Sequence, residues 1–171
     1  MEKIRIWSGG KTALPTVYIH SVAGDGHQVW EACRRIGCPN FNLVSVHDFD
    51  FEGELTPWTA PGVRKGQPPF KGNAERYLTE LLDRIMPETE AKLPAPPLYN
   101  ALAGYSLAGL FALWSAWKTD QSLLDDNGTQ LCCGDVCKSA AELANSGTAC
   151  RCDDDFLHVS SLLICVYVGE F

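Results

Sequence analysis

The residues best suited to chemistry are six in a row, Gly104-Tyr105-Ser106-Leu107-Ala108-Gly109. They stand between a short apolar run, Leu98 to Ala103, and a longer one, Leu107 to Trp117. A strand is expected to feed a tight turn here, and the turn a helix. Gly104 is expected to take a backbone angle that a Cβ forbids, and Ala108 to let the helix approach the strand. The string is the G-x-S-x-G of a nucleophile elbow, with alanine in its last small position. Lifted clear of a sheet on such a turn, a serine Oγ can attack a carbonyl carbon. The backbone N–H of Leu107, at a helix N-terminus, is aimed where an oxyanion would form.

A serine used in this way needs a base. Of the 4 histidines only His158 follows Ser106, with Asp153, Asp154 and Asp155 just ahead of it. His158 as base and Asp155 as acid give the order Ser, Asp, His. Acid and histidine normally occupy separate loops in such an assembly, and a solvated acidic turn beside a strand histidine accounts for the same residues. Cys132, Cys133, Cys137, Cys150 and Cys152 are soft ligands, but they contain no C-x-x-C pair. No metal and no cofactor are therefore expected. Structural disulfides need an oxidising compartment, which nothing in the sequence implies.

These residues must be positioned by regular elements. Ile4 to Trp7 alternates as an edge strand does, and Thr16 to His20 is rich in β-formers. A break over Ser21 to Gly26 leads to a helix from about His27 to Ile36, with Val29, Trp30, Cys33 and Ile36 on one face. Gly37 stops that helix. Phe41 to His47 is the next strand. From Asp48 to Gly72 the chain is expected to be irregular, and a loop this long is usually functional. Its Phe49, Phe51, Trp58 and Phe70 suit equally an acyl pocket and the loop's own core. Asn73 is placed to cap a helix that buries Tyr77, Leu78, Leu81, Leu82 and Ile85, and Pro87 is expected to kink it or to start a second piece. The alternation of strand and helix implies a parallel sheet covered on both faces. The strand ends His20, His47 and Ser106 then meet at one edge, where the active sites of such sheets lie.

Composition divides the chain. Up to Lys118 there are 12 basic and 12 acidic residues; beyond it 2 and 9, which carry the whole net charge of −7. All 10 prolines lie at or before Pro97, and 6 of the 8 cysteines follow Cys132 or include it. No basic stripe suggests nucleic acid. No run is long and apolar enough for a membrane span. The N-terminus lacks the apolar core of a signal peptide, so a cytoplasmic location is expected. The division gives a first part, residues 1–118, and an acidic, cysteine-rich tail, residues 119–171.

The stretches "TVYIHSVAGDGHQVWE", "CPNFNLVSVHDFDF", "LTPWTAP", "GNAERYLTELLDRIMPETEAKL" and "LAGYSLAGLFALW" resemble the α/β-hydrolase superfamily. More narrowly they resemble its putative-esterase branch, which includes esterase D and enterochelin-esterase-like proteins. The resemblance covers residues 1–118 and implies an α/β fold with a mostly parallel sheet flanked by helices. It implies a serine hydrolase acting on a small-molecule carboxylic ester or thioester, with Ser106 as nucleophile. The N–H groups of Leu107 and Val22 become the oxyanion donors, Ser21 standing where a glycine often does. His20, Tyr105 and Trp58 are expected to line the substrate. Beyond Lys118 the family's later strands, which bring the acid and the histidine, are not visible. The fold is thus expected to be incomplete after the helix that follows Ser106. Two consequences are expected: a tail out of its native reading frame or truncated, and self-association through an open sheet edge. The alternative to an enzyme is a non-catalytic or remnant domain that keeps the turn but lacks a working acid and histidine.

Overall fold

The computed structural model describes residues 3–119, 132–133 and 163–168. Within them lies a six-stranded sheet in the order β1-β3-β2-β6-β8-β7. The strands are β1 Lys3–Trp7, β2 Thr16–His20, β3 Asn42–His47, β6 Asn100–Tyr105, β7 Cys132–Cys133 and β8 Leu163–Val168. The helices are α1 His27–Arg35, α2 Phe51–Glu54, α3 Ala74–Glu80, α4 Met86–Glu90 and α5 Leu107–Thr119, and a small hairpin joins β4 Thr59–Ala60 to β5 Phe70–Lys71. The centre of the sheet, β3-β2-β6, is parallel, and both flanks are antiparallel.

Alternation along the central strands sorts the core into two faces. Tyr18, Val44, Val46 and Leu102 point to one side and are covered by α3, α4 and α5. Ile19, Leu43 and Ala103 point to the other, where Trp30 of α1 meets them with Trp7 and Phe41. Helix α5 lies close to the sheet because its inner stripe is small. Ala108, Ala112, Ser115 and Ala116 are buried there, with Phe111 as the one bulky residue among them.

The structure amends several details expected from the sequence. Helix α1 buries Trp30, while Val29 and Ile36 of the expected apolar face are exposed. Apolar spacing alone overstated that face, since Trp30 is the one buried residue of this short helix. Gly37 does end it, in the left-handed region at φ 74°. The stretch 48–72 is not irregular throughout, since it contains α2 and the β4–β5 hairpin. Between α3 and α4 the helix widens into one π-helical turn, Leu81–Ile85. Pro87 follows in the first turn of α4. A proline there has no N–H for the preceding turn, and a local change of hydrogen-bond register accommodates it.

The open edge expected beside β6 is occupied. Strand β8 pairs with it antiparallel over its whole length, from Asn100↔Val168 to Tyr105↔Leu163, and β7 pairs outside β8. The apolar, β-branched run Leu163–Val168 supplies the strand that the first part of the chain lacks. The expected turn over 122–128, the helix over 138–145, His158, Asp155 and the reading frame of the tail lie outside the described residues.

Candidate active site

Strand β6 delivers Ser106 to the carboxyl edge of the sheet and α5 begins at the next residue. Ser106 itself is left-handed, at φ 56°. For a residue with a Cβ that conformation costs about 1–2 kcal/mol, so it persists only where the surroundings enforce it. The enforcement comes from both sides. The Ser106 carbonyl accepts the N–H of Leu110 at 3.0 Å, which starts the helix. Behind it, a Cβ on Gly104 would stand 2.2 Å from the Ala108 carbonyl carbon. Gly104 is thus required for close approach, and its own backbone is not left-handed as the sequence suggested; the unusual angle belongs to the serine.

Because the first hydrogen bond of α5 is made by Leu110, the N–H groups of Leu107, Ala108 and Gly109 have no acceptor within the helix. Ser106 and Tyr105 are exposed and Leu107 is half-buried. An anion at the serine would face the positive end of a 13-residue helix.

The sheet register brings the other expected loop alongside. Ile19 pairs with Ala103, so Val22 and Ser106 each lie three residues beyond a paired position on adjacent parallel strands. Val22 is exposed. Its loop is anchored on β3: the Ser21 N–H donates to the Val46 carbonyl at 2.9 Å, and the Ser21 and Ser45 hydroxyls are hydrogen-bonded at 2.9 Å. Ser21 therefore has a local partner that a glycine in its place would lack. Ser45 was not singled out in the sequence. Its signal is a hydroxyl in the otherwise apolar run Leu43-Val44-Ser45-Val46, where a buried polar group needs a partner.

His20 closes β2 but turns into the core. It is 7% exposed, and its ring lies 5.8 Å from Phe49, 5.5 Å from Tyr77 and 5.3 Å from Phe111 between centroids. Burial pushes its imidazole down to about 3. Its Nε2 is buried without a hydrogen-bond partner. Phe49 and Phe51 join the same aromatic group and the main core, whereas Trp58 stands exposed. Asp48, just beyond β3, is left-handed at φ 56° and pairs with Lys3 at 2.7 Å. That bond holds its carboxyl below the usual carboxylate range. Among the described residues no side chain hydrogen-bonds to Ser106.

A central parallel sheet with a helix-capped serine at its carboxyl edge defines a hydrolase-type fold, and solved structures of that fold are similar. An IroE-like serine hydrolase from Shewanella oneidensis aligns with a TM-score of 0.54 at 22% identity, over 71% of this chain and 43% of that one. The BES protein from Bacillus cereus aligns at 0.51 and 20% identity, over 68% of this chain and 52% of that one. Siderophore hydrolase EstB from Aspergillus nidulans aligns at 0.50 and 19% identity, over 70% and 50%. The chain thus spans about half the length of these relatives. No curated protein matches it. The model of the family described as "Putative esterase" matches residues 14–122, and the chain belongs to that family.

Proposed function

We propose that this chain is a serine hydrolase for small carboxylic esters or thioesters and that Ser106 is its nucleophile. The observation that carries the reading is the left-handed Ser106 between β6 and α5, which supports reading the G-x-S-x-[GA] string as a nucleophile elbow. In this reading Ser106 Oγ attacks the ester carbonyl carbon. The N–H groups of Leu107 and Val22 stabilise the oxyanion, and collapse releases the alcohol or thiol and leaves an acyl-serine. Water then attacks the acyl-serine, releasing the acid and restoring the hydroxyl. His158 would be the base and Asp155 the acid that orients it. Tyr105 and Trp58, both exposed, are candidates to line the acyl or leaving group, whereas His20 is buried among aromatic rings. Membership of the esterase family supports the reaction class.

The second reading is a domain without catalysis; its ground is the sequence beyond Lys118, in which the family's later strands with their acid and histidine are not visible. Without a base a serine hydroxyl stays protonated and weak. A fluorophosphonate probe separates the two. If the chain is a hydrolase, one equivalent of probe is captured on Ser106, Ser106→Ala abolishes capture, and p-nitrophenyl acetate is turned over only by the unsubstituted protein. No capture at all would sink the hydrolase reading.

A further inference from the structure

The C-terminal cap of α1 holds a pair of thiols that the esterase reading does not use. Helix α1 ends on a Schellman cap: the Cys38 N–H donates to the Cys33 carbonyl at 3.0 Å, and the Gly37 N–H to the Arg34 carbonyl at 3.2 Å. Gly37 supplies the left-handed residue that this cap requires. In such caps the side chains of the two residues joined by the 6→1 hydrogen bond, the one that spans more of the chain, frequently make an apolar contact. Here those two residues are Cys33 and Cys38. Both are free and half-buried. A disulfide spans Cα separations of about 4.4–6.8 Å, and the hydrogen bond that closes the cap already holds the two backbones together.

The pair is reachable. Cys33 and Cys38 line a cavity of about 190 Å³ together with Gly9, Trp30, Arg34 and Phe41. The Arg34 guanidinium sits 5.9 Å over the Trp30 ring in the same place, a cation beside the opening. We propose that Cys33 and Cys38 are a redox pair that exchanges with small anionic disulfides of the glutathione type and closes into a disulfide across the α1 cap.

The exchange has a defined order. Burial first, and then the neighbouring Cys38, push the Cys33 thiol above its ordinary value, so Cys33 is the poorer initial nucleophile. The Cys38 thiolate attacks the incoming disulfide; its sulfur bonds to one half and the other half leaves as a thiolate. The Cys33 thiolate then attacks the Cys38 sulfur, the second half leaves as a thiolate, and the intramolecular disulfide forms. Two protein thiols are oxidised, one small disulfide is reduced to two thiols, and the two protons pass to solvent or to the leaving thiolates.

Arg34 and Arg35 lie between the two cysteines, which makes the test direct. The reduced full chain is incubated with oxidised glutathione, quenched in acid with N-ethylmaleimide, and digested with trypsin. The expected product joins peptide 12–34 to peptide 36–64, two hydrogens below their summed mass, and dithiothreitol separates it. Cys33→Ser should leave a lasting glutathione adduct on Cys38, and Cys38→Ser should leave Cys33 modified several times more slowly. Separate peptides, with both thiols free or both stably capped, would overturn the proposal. So would either peptide found joined instead to one carrying a cysteine from Cys132 onward.

Discussion

His20 shows how one buried side chain can govern the pH response of the whole chain. Its imidazole is held down to about 3 by burial, against about 6.5 in an unfolded chain. Between those values the unfolded chain binds a proton that the folded one refuses, so the folded state loses stability as pH falls below about 6.5, at up to about 1.4 kcal/mol per unit. Asp48 and Asp50 act lower on the scale. Lys3 and Lys71 hold their carboxyls below the usual range, so their contribution is complete above about pH 4 and is lost only as pH falls further. Among the described residues with a resolved shift, His20 is the one whose unfolded and folded values bracket pH 6.5 to 5, so the loss in that range is assigned to it. Urea midpoints at pH 7 and 5.5 should drop clearly for the unsubstituted protein and much less for His20→Leu, which also removes a buried nitrogen without a partner. An equal drop in both would show that the proton uptake lies elsewhere. At this scale the sequence was most informative where the chemistry is local. The spacing Gly104-x-Ser106 contains the turn, because close approach of α5 and the left-handed serine are properties of neighbouring residues. Whether His20 faces the site or the core depends on Phe49, Tyr77 and Phe111, contributed by three other segments, so the sequence near His20 does not reveal it.

The elements that carry the site are held by polar contacts as much as by apolar ones. The segment between β3 and α3 is fastened at its two ends through Thr56, which is 5% exposed. The Thr56 hydroxyl donates to the Glu52 carbonyl at 3.0 Å and accepts the Gly72 N–H at 3.1 Å. The Thr56 carbonyl accepts the Ala74 N–H at 3.1 Å, and the Gly53 carbonyl accepts the Asn73 N–H at 3.1 Å. Helix α3 is thereby started by the loop before it. Thr56→Val keeps the shape but leaves the Gly72 N–H without its partner, at a cost of about 1–2 kcal/mol. Amide exchange at Gly72 should accelerate well beyond the change in global stability; unchanged protection there would show that the hydroxyl does not fasten the loop. This also explains why the segment 48–72 reads as irregular in sequence. Its strands are two residues each and its ends are fastened by hydrogen bonds centred on Thr56 and Gly53, neither of which produces a hydrophobic period. Strands β2, β3 and β6 and helix α5 are legible because they bury continuous or regularly spaced apolar residues against one another.

At the scale of the whole molecule, the sheet edge beside β6 is covered by β8. Strands β2, β3 and β6 follow one another in parallel, as the strand–helix alternation implies. The next strand, β8, comes from more than forty residues beyond α5 and runs antiparallel. A pairing at that separation leaves no local trace, which is why the edge looks open in the sequence. Unpaired, the N–H and C=O groups of β6 would offer a template for another chain. Removing the tail is a poor test of this, because residues after Lys118 carry the entire net charge of −7 and their loss would itself favour association. Val166→Pro keeps the charge. Val166 stands opposite Leu102 in the middle of the β6–β8 ladder, where proline removes a donor and breaks an interior strand. Light scattering across a wide concentration range should then show association for Val166→Pro at concentrations where the unsubstituted chain keeps a constant mass. Equal, concentration-independent masses for both would mean that β8 is dispensable as the cover of β6 and that the edge is protected in some other way.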